Sequence, residues 1–363
     1  MNNTPNAEAE SIVKPPVTSV GVIGWIRGNL FNNIFNSILT LVTFYLLGRV
    51  FWPFTRWAFI DSQWTAAGEG CRGAVGACWA VIPANIRFII FGFFPYELQW
   101  RPLLAMILLV GLLFYSRNRR HWKKSLLYAW LAGLFIMGLL MKGGLGLAPV
   151  ESSLWGGLPL TLLLSFFGLA AAYPLGVILA LGRQSRMPAI KTLCIVYIEM
   201  IRGVPLITLL FMSSIVFPLF LPEGVTVNVI LRAQVAIIMF TAAYIAEVVR
   251  GGLQGMSKGQ YEAAESLGLN YYQTMRLVIL PQALKIVIPP TVSQLISALK
   301  DTSLVVIIAL YDLLKTTQSV LSNPKWMAHS SELYLFVALI YFGCCYFMSS
   351  YSRRLEEELD TGL

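Results

Sequence analysis

Charged residues are scarce in this sequence, making up 12% of its 363 residues beside a hydrophobic share of 57% and a mean hydropathy of +0.68. A soluble globular chain carries roughly 25% charged and about 45–50% apolar residues, so a water-soluble core is excluded and a polytopic membrane protein is expected. Histidine is nearly missing: His121 and His329 stand in separate polar stretches without metal-ligand spacing, and no metal site is expected. No G-x-x-x-x-G-K-[ST] and no H-E-x-x-H occurs, which excludes a P-loop nucleotide site and a zincin centre in this chain. Cysteine is limited to five positions, of which Cys194, Cys344 and Cys345 fall within apolar runs and read as packing. Cys71 and Cys78 share a polar segment and could close a small disulfide loop if that segment is extracytoplasmic.

Long apolar runs are abundant instead. They lie at about 33–52, 102–116, 126–142, 158–182, 190–220, 231–249, 286–310 and 333–350, eight candidates for crossing a hydrocarbon core of about 30 Å. A further run at 79–95 carries Pro83, Asn85 and Arg87; it reads as an interfacial or re-entrant segment, with a full span as the alternative. Residues 1–20, with Pro15-Pro16, read as a disordered tail rather than a signal peptide, because the first apolar run comes late and is long. The formal charge of +9 collects in short clusters such as "RNRRHWKK" at 117–124. That is the mark of cytoplasmic loops under the positive-inside rule, not of a nucleic-acid surface. With both termini inside, sixteen of the 27 basic residues face the cytoplasm and nine the other side, while Arg202 and Lys300 fall within apolar runs. This orientation places 53–101 outside and 251–285 inside.

The inside loop is polar and punctuated. In "SKGQYEAAESLGLNYYQTMRLVILPQA", Ser257 and Gln260 have capping-box spacing. A helix is expected from near Lys258 through Glu262, Ala263, Ala264 and Leu267 to Gly268, a residue suited to the left-handed helix end. Asn270 with Gln273 opens a second helix that places Tyr271, Met275 and Val278 on one stripe before Pro281. The first helix is small where it is not acidic, a knob for a groove on a partner protein. A helix lying on lipid headgroups would instead show Lys and Arg opposite bulky apolar residues.

The pattern Glu262-Ala263-Ala264, three residues, Gly268, nine residues, then Val278-x-Leu280-Pro281 resembles the "EAA" coupling loop of permease subunits of ABC importers, with valine where isoleucine is usual. The flanking "AAYIAEVVRGGLQGMSKGQ" and "LKDTSLVVIIAL", with "GLPLTLLLS" and "EMIRGVPL" upstream, look like the polar-amino-acid branch of that family. The resemblance covers about Gly157 to Glu358. The spans before it look like those of the M-type subunit of general L-amino-acid importers. It implies an all-α integral membrane protein with a type I ABC importer transmembrane domain of about eight spans, three extra N-terminal ones and a five-span core. The implied organisation is a cytoplasmic tail at 1–30, extra spans at 31–156, the core at 157–353 with its coupling loop, and a cytoplasmic tail at 354–363. Implied partners are a homologous second permease, an ATP-binding subunit dimer, a periplasmic amino-acid-binding protein, amino acids as substrate, and lipid. No cofactor is implied for this chain, ATP and Mg belonging to the partner ATPase, and the implied location is the bacterial inner membrane.

Ionisable groups inside spans are costly and usually face a cavity or one another. Glu199 and Arg202, spaced i, i+3, are expected to pair on one helical face before Gly203 and Pro205 break the helix. Lys300 and Asp301, with Thr302 and Ser303, could meet the two charges of an amino acid, neutralise each other at a subunit interface, or belong to a gate. Two other classes of function stay open on residues alone. One is a membrane-embedded enzyme using Glu199, Asp301 or Glu247 as acid or base and active without an ATPase. The other is a non-transporting scaffold or sensor subunit whose loop only anchors a partner.

Overall fold

The computed structural model describes residues 21–65, 71, 73, 75–121 and 123–359; the expected tail at 1–20 and the last four residues of the expected C-terminal tail lie outside them. The chain divides into two compact units between Ala80 and Val81.

In the first unit, α1 (Gly21–Asn29) precedes α2 (Ile34–Thr55). Asn33 caps α2 by accepting the Asn36 N–H at 2.7 Å. Apart from Thr40 every described residue of α2 keeps some exposure, as expected of a helix that is apolar all round and sits in lipid. After a widened turn at Arg56–Ile60 the chain folds back on itself. The Gln63 N–H donates to Ala77 at 2.7 Å and the Trp79 N–H to Gln63 at 2.8 Å. Cys71 and Cys78 are joined by a disulfide within this loop, their Cα atoms 6.0 Å apart.

The second unit opens with α3 (Val81–Phe91). Its 11 residues extend about 16 Å, half of the hydrocarbon thickness, so α3 does not cross. There follow α4 (Trp100–Ser116), α5 (Lys124–Lys142), α6 (Gly157–Arg183), α7 (Pro188–Arg202), α8 (Leu206–Phe211) and α9 (Val229–Gln254). Then come α10 (Lys258–Ser266), α11 (Tyr271–Gln273), α12 (Leu280–Ile286), α13 (Ile288–Asp301), α14 (Leu313–Val320) and α15 (Ser330–Leu359). Among the described residues seven helices are long and apolar enough to cross a membrane, and an eighth crossing is the pair Pro188–Arg202 and Leu206–Phe220, bent by 102°. The eight apolar runs of the sequence correspond to these eight, and the bend falls at Gly203 and Pro205.

Helices α6 and α9 form the spine of this unit. Their contact is built from small residues, Ala172, Ala180, Ala242, Ala243 and Ala246 all being buried, and Gly176 lies so close to α9 that a Cβ there would sit 2.6 Å from Ile245 Cγ2. Small residues allow such backbone approach in lipid, where packing rather than hydrophobic exclusion holds helices together. The start of α6 is fixed differently. Gly156 and Gly157 pair as parallel bridges with Tyr311 and Asp312, and Gly157 has φ +65° with a Cβ position that runs into the Ile90 carbonyl. Thr316 Oγ1 donates to the Ile89 carbonyl at 2.9 Å. Helix α3 is thereby pinned between the entry to α6 and α14.

Candidate functional site

The loop between α9 and α12 folds as a helical hairpin, though its first cap differs from the expected one. Ser257 stands at the N-cap of α10 without a side-chain cap bond. Gln260, the expected box partner, instead accepts from Gln282 Nε2 at 3.1 Å, so a contact to α12 has outcompeted the local box. The Asn270–Gln273 box forms in both directions, at 2.9 and 3.0 Å. Gly268 has φ +74° with open space around it and closes α10 by donating its N–H to Glu265 at 2.8 Å. Glu262, Ala263 and Glu265 are exposed and Leu267 is 79% exposed, whereas Ala264 is buried at 2%. The two alanines therefore divide the work: Ala263 presents a small outer surface and Ala264 seats the helix on its own chain.

Pro281 does not end the second helix. It occupies the first turn of α12, where a missing N–H costs nothing, and the widened turns at Thr274–Ile279 carry the chain into it. The buried stripe is consequently Met275, Ile279 and Ala283, while Tyr271 is exposed. These three pack in one cluster with Ala180 of α6, Ile198 of α7 and Ile245, Val249 and Leu253 of α9. An exposed knob, α10, is thus joined to a second arm embedded among three spans.

Beside that cluster lies a group of charges. Arg183 donates to Glu199 at 2.9 Å and to Glu247 at 2.6 Å, Arg202 approaches Glu247 at 3.6 Å, and Arg250 grips the same carboxylate through Nε at 3.0 Å and Nη2 at 2.8 Å. The expected Glu199–Arg202 pair is replaced. Glu199 turns to α6 and Arg202 to α9, because the close α6–α9 packing brings Arg183 and Glu247 within reach. Glu247, with 14% of its side chain exposed, is the centre of the group. The sequence suggested it only as an acid for a rival enzyme, although its i, i+3 spacing to Arg250 repeats that of Glu199 and Arg202.

At the end of α13, Lys300 is exposed and Asp301 and Ser303 are half-buried. Thr302 is fully buried and bonds the Leu299 carbonyl at 2.7 Å, while Ser303 bonds that of Lys300 at 2.8 Å. Both hydroxyls are thus occupied in tightening the helix end. No ion pair joins Lys300 to Asp301 among the described residues. A polar knot that the sequence did not announce lies nearby in the chain. Asp312, fully buried, accepts the Lys315 N–H at 2.9 Å, the Leu314 N–H at 3.2 Å and the Tyr341 hydroxyl at 3.3 Å. Burial pushes its carboxyl above the usual carboxylate range, and the bonds donated to it pull part of the way back.

Comparison with known proteins places this geometry. The family described as "Binding-protein-dependent transport system inner membrane component" matches residues 172–360. The chain is 45% identical over 345 residues to the inner membrane amino-acid ABC transporter permease protein YhdY of Escherichia coli (strain K12), covering 93% of each. It is 39% identical over 415 aligned positions, and 95% of each chain, to the glutamate/glutamine/aspartate/asparagine transport system permease protein BztC of Rhodobacter capsulatus. A crystal structure of an amino acid ABC transporter with histidines superposes on 56% of this chain and 92% of its own at TM-score 0.51 and 32% identity. The all-α, eight-span architecture is accordingly that of a type I ABC importer transmembrane domain. Matched by the family across its core and by permeases along nearly its whole length, the chain belongs to the binding-protein-dependent transport system inner membrane components, the permease subunits of ABC transporters.

Proposed function

We propose that this chain is one permease of an ATP-driven, binding-protein-dependent amino-acid importer of a bacterial inner membrane, with both termini cytoplasmic. It forms the translocation path with a homologous second permease and couples to a separate ATPase dimer, which holds the ATP and Mg; this chain supplies no catalytic residue. The observation that carries the reading is the hairpin: an exposed α10, edged by Glu262 and Glu265, ends at Gly268, and its second arm is packed through Met275, Ile279 and Ala283 against three spans.

The mechanism follows from that linkage. A displacement of α10 by the ATPase cannot be absorbed in the loop, because close-packed interiors transmit strain. It passes to the inner ends of α6, α7 and α9, and there the charges on Glu247 tie α7, just before its bend, to the other two helices. The substrate's amino acid character is drawn from the names of the relatives. An extracytoplasmic binding protein delivers it. Co-purification from detergent with mass spectrometry tests the assembly: a second permease and an ATPase are expected with this chain, and a chain that purifies alone overturns the reading.

For the path we assign Lys300, Asp301, Thr302 and Ser303, with Asp301 facing the substrate ammonium, since it is half-buried and forms no ion pair with Lys300 among the described residues. Asp301→Asn is expected to lower the apparent affinity or rate for some amino acids by roughly tenfold, the usual effect of losing one charged hydrogen bond. Wild-type uptake across a broad panel would remove Asp301 from the path.

A further inference from the structure

The crossing Ile288–Ile308 changes its winding partway along. It begins as α13, but its last 7 residues, Thr302–Ile308, are wound as a 3₁₀-helix. Runs of that kind seldom exceed about three or four residues, because their hydrogen bonds are poorer than those of an α-helix, and one inside a longer helix often marks a hinge. Ala309 closes the run with φ +59°. Its N–H reaches the Val306 carbonyl at 3.0 Å, and the Leu310 N–H reaches that of Val305 at 3.3 Å. Glycine usually fills this left-handed position, where a Cβ crowds the following carbonyl.

The two sides of the segment are held unequally. Beyond Ala309, Tyr311 and Asp312 pair with Gly156 and Gly157, the Leu313 N–H donates to Thr161 Oγ1 at 3.0 Å, and Thr316 bonds Ile89. The Tyr341 hydroxyl donates to Asp312 and also interacts with the Thr302 hydroxyl. The far side is therefore bonded to α3, α6 and α15. On the near side, only Ala298 and Leu299 of the 14 residues of α13 are buried, and the hydroxyls of Thr291 and Ser293 are spent on carbonyls one turn back.

We infer that Thr302–Ala309 is a two-state hinge that positions Asp301, with Asp312 as its fixed end and Tyr341 as the latch that holds the present winding. Rewinding such a run from 3₁₀ to α shortens it by about 3.5 Å and turns one end against the other by up to roughly 140°. Because the far side is bonded to three helices, the displacement falls on α13 and moves Asp301 at its end. The left-handed Ala309 supplies the bias, since the backbone that it must give up is the disfavoured one. Ala309 and Asp312 are thus positioning residues, set apart from the path itself. The hinge rests on the importer reading, because an ATP-driven cycle is what calls for a two-state element.

The test uses the complex as purified with its ATPase. Spin labels at the exposed positions Ser297→Cys and Ser322→Cys, in a chain also carrying Cys194→Ser, Cys344→Ser and Cys345→Ser, report the distance across the hinge with and without trapped ATP. That distance is expected to change by at least about 3 Å. Ala309→Gly gives a second readout in cells, without labels. Glycine removes the left-handed penalty and favours the present state by roughly 5–30-fold. Maximal uptake per molecule in the membrane is expected to fall at least about fivefold, with no rise in the half-saturating concentration. A merely structural helix cap predicts unchanged uptake instead, because glycine is its usual residue. A chain that purifies without an ATPase overturns the importer reading and the hinge with it. A complex that hydrolyses ATP while the distance stays fixed, or a wild-type maximal rate with Ala309→Gly, overturns the hinge alone.

Discussion

Uptake through the assembled transporter is expected to fall below about a tenth of wild type when Gly268 becomes aspartate, while the chain still folds and inserts. Gly268 has φ +74°, and a side chain in the left-handed region costs about 1–2 kcal/mol, least for Asp and Asn. No atom lies within 4 Å of the new Cβ, so folding suffers little more than that. The consequence falls on docking: an unpaired carboxylate carried into a protein contact costs several kcal/mol, and each 1.4 kcal/mol is tenfold in affinity. Labelled amino-acid uptake in cells, together with pull-down of the ATPase, separates the two effects. Gly268→Asn, which tolerates the same backbone without the charge, is expected to retain more activity than Gly268→Asp. Wild-type uptake with Gly268→Asp, or with the reversed charge of Glu262→Lys, would refute docking at α10.

Glu247→Leu is expected to have the largest effect on stability. It leaves Arg183, Arg202 and Arg250 facing one another, with Glu199 alone among the described residues in reach of Arg183. Breaking a buried ion pair costs about 3–5 kcal/mol. The arginine side chains are 21–34% exposed, which places the loss nearer to about 2–3 kcal/mol. A thermal midpoint measured in detergent should drop accordingly. The double variant Arg183→Leu with Glu247→Leu should recover part of the loss, because replacing both members of a pair by apolar groups is far less harmful than orphaning one. An unchanged midpoint in the single variant would show that the arginines are solvated independently and that Glu247 does not organise them.

The spans were legible in the sequence because apolar length is a direct physical requirement of lipid, and the break at Gly203 and Pro205 was legible because those residues cannot sustain a helix. The Asn270–Gln273 cap was legible because both partners lie within one turn. What failed were local pairings with a competitor elsewhere in the chain. Gln260 had Ser257 three residues away but bonds Gln282, 22 residues on. Glu199 had Arg202 within one turn but bonds Arg183, 16 residues back. Arg183 in turn reaches Glu247, 64 residues away, a contact fixed by the packing of α6 on α9 and invisible to spacing.

The bond from Thr316 to the Ile89 carbonyl joins positions 227 residues apart, and that separation sets an order on synthesis. At about 5–20 residues per second, the acceptor leaves the ribosome some ~10–45 seconds before its donor exists. During that interval α3 can settle neither in hydrocarbon, where an unmatched carbonyl is costly, nor in its final seat. The seat of α3 therefore stays incomplete while six further crossings are threaded, and the end of the protein where α3, the start of α6 and α14 come together completes its packing only after Thr316 has been made.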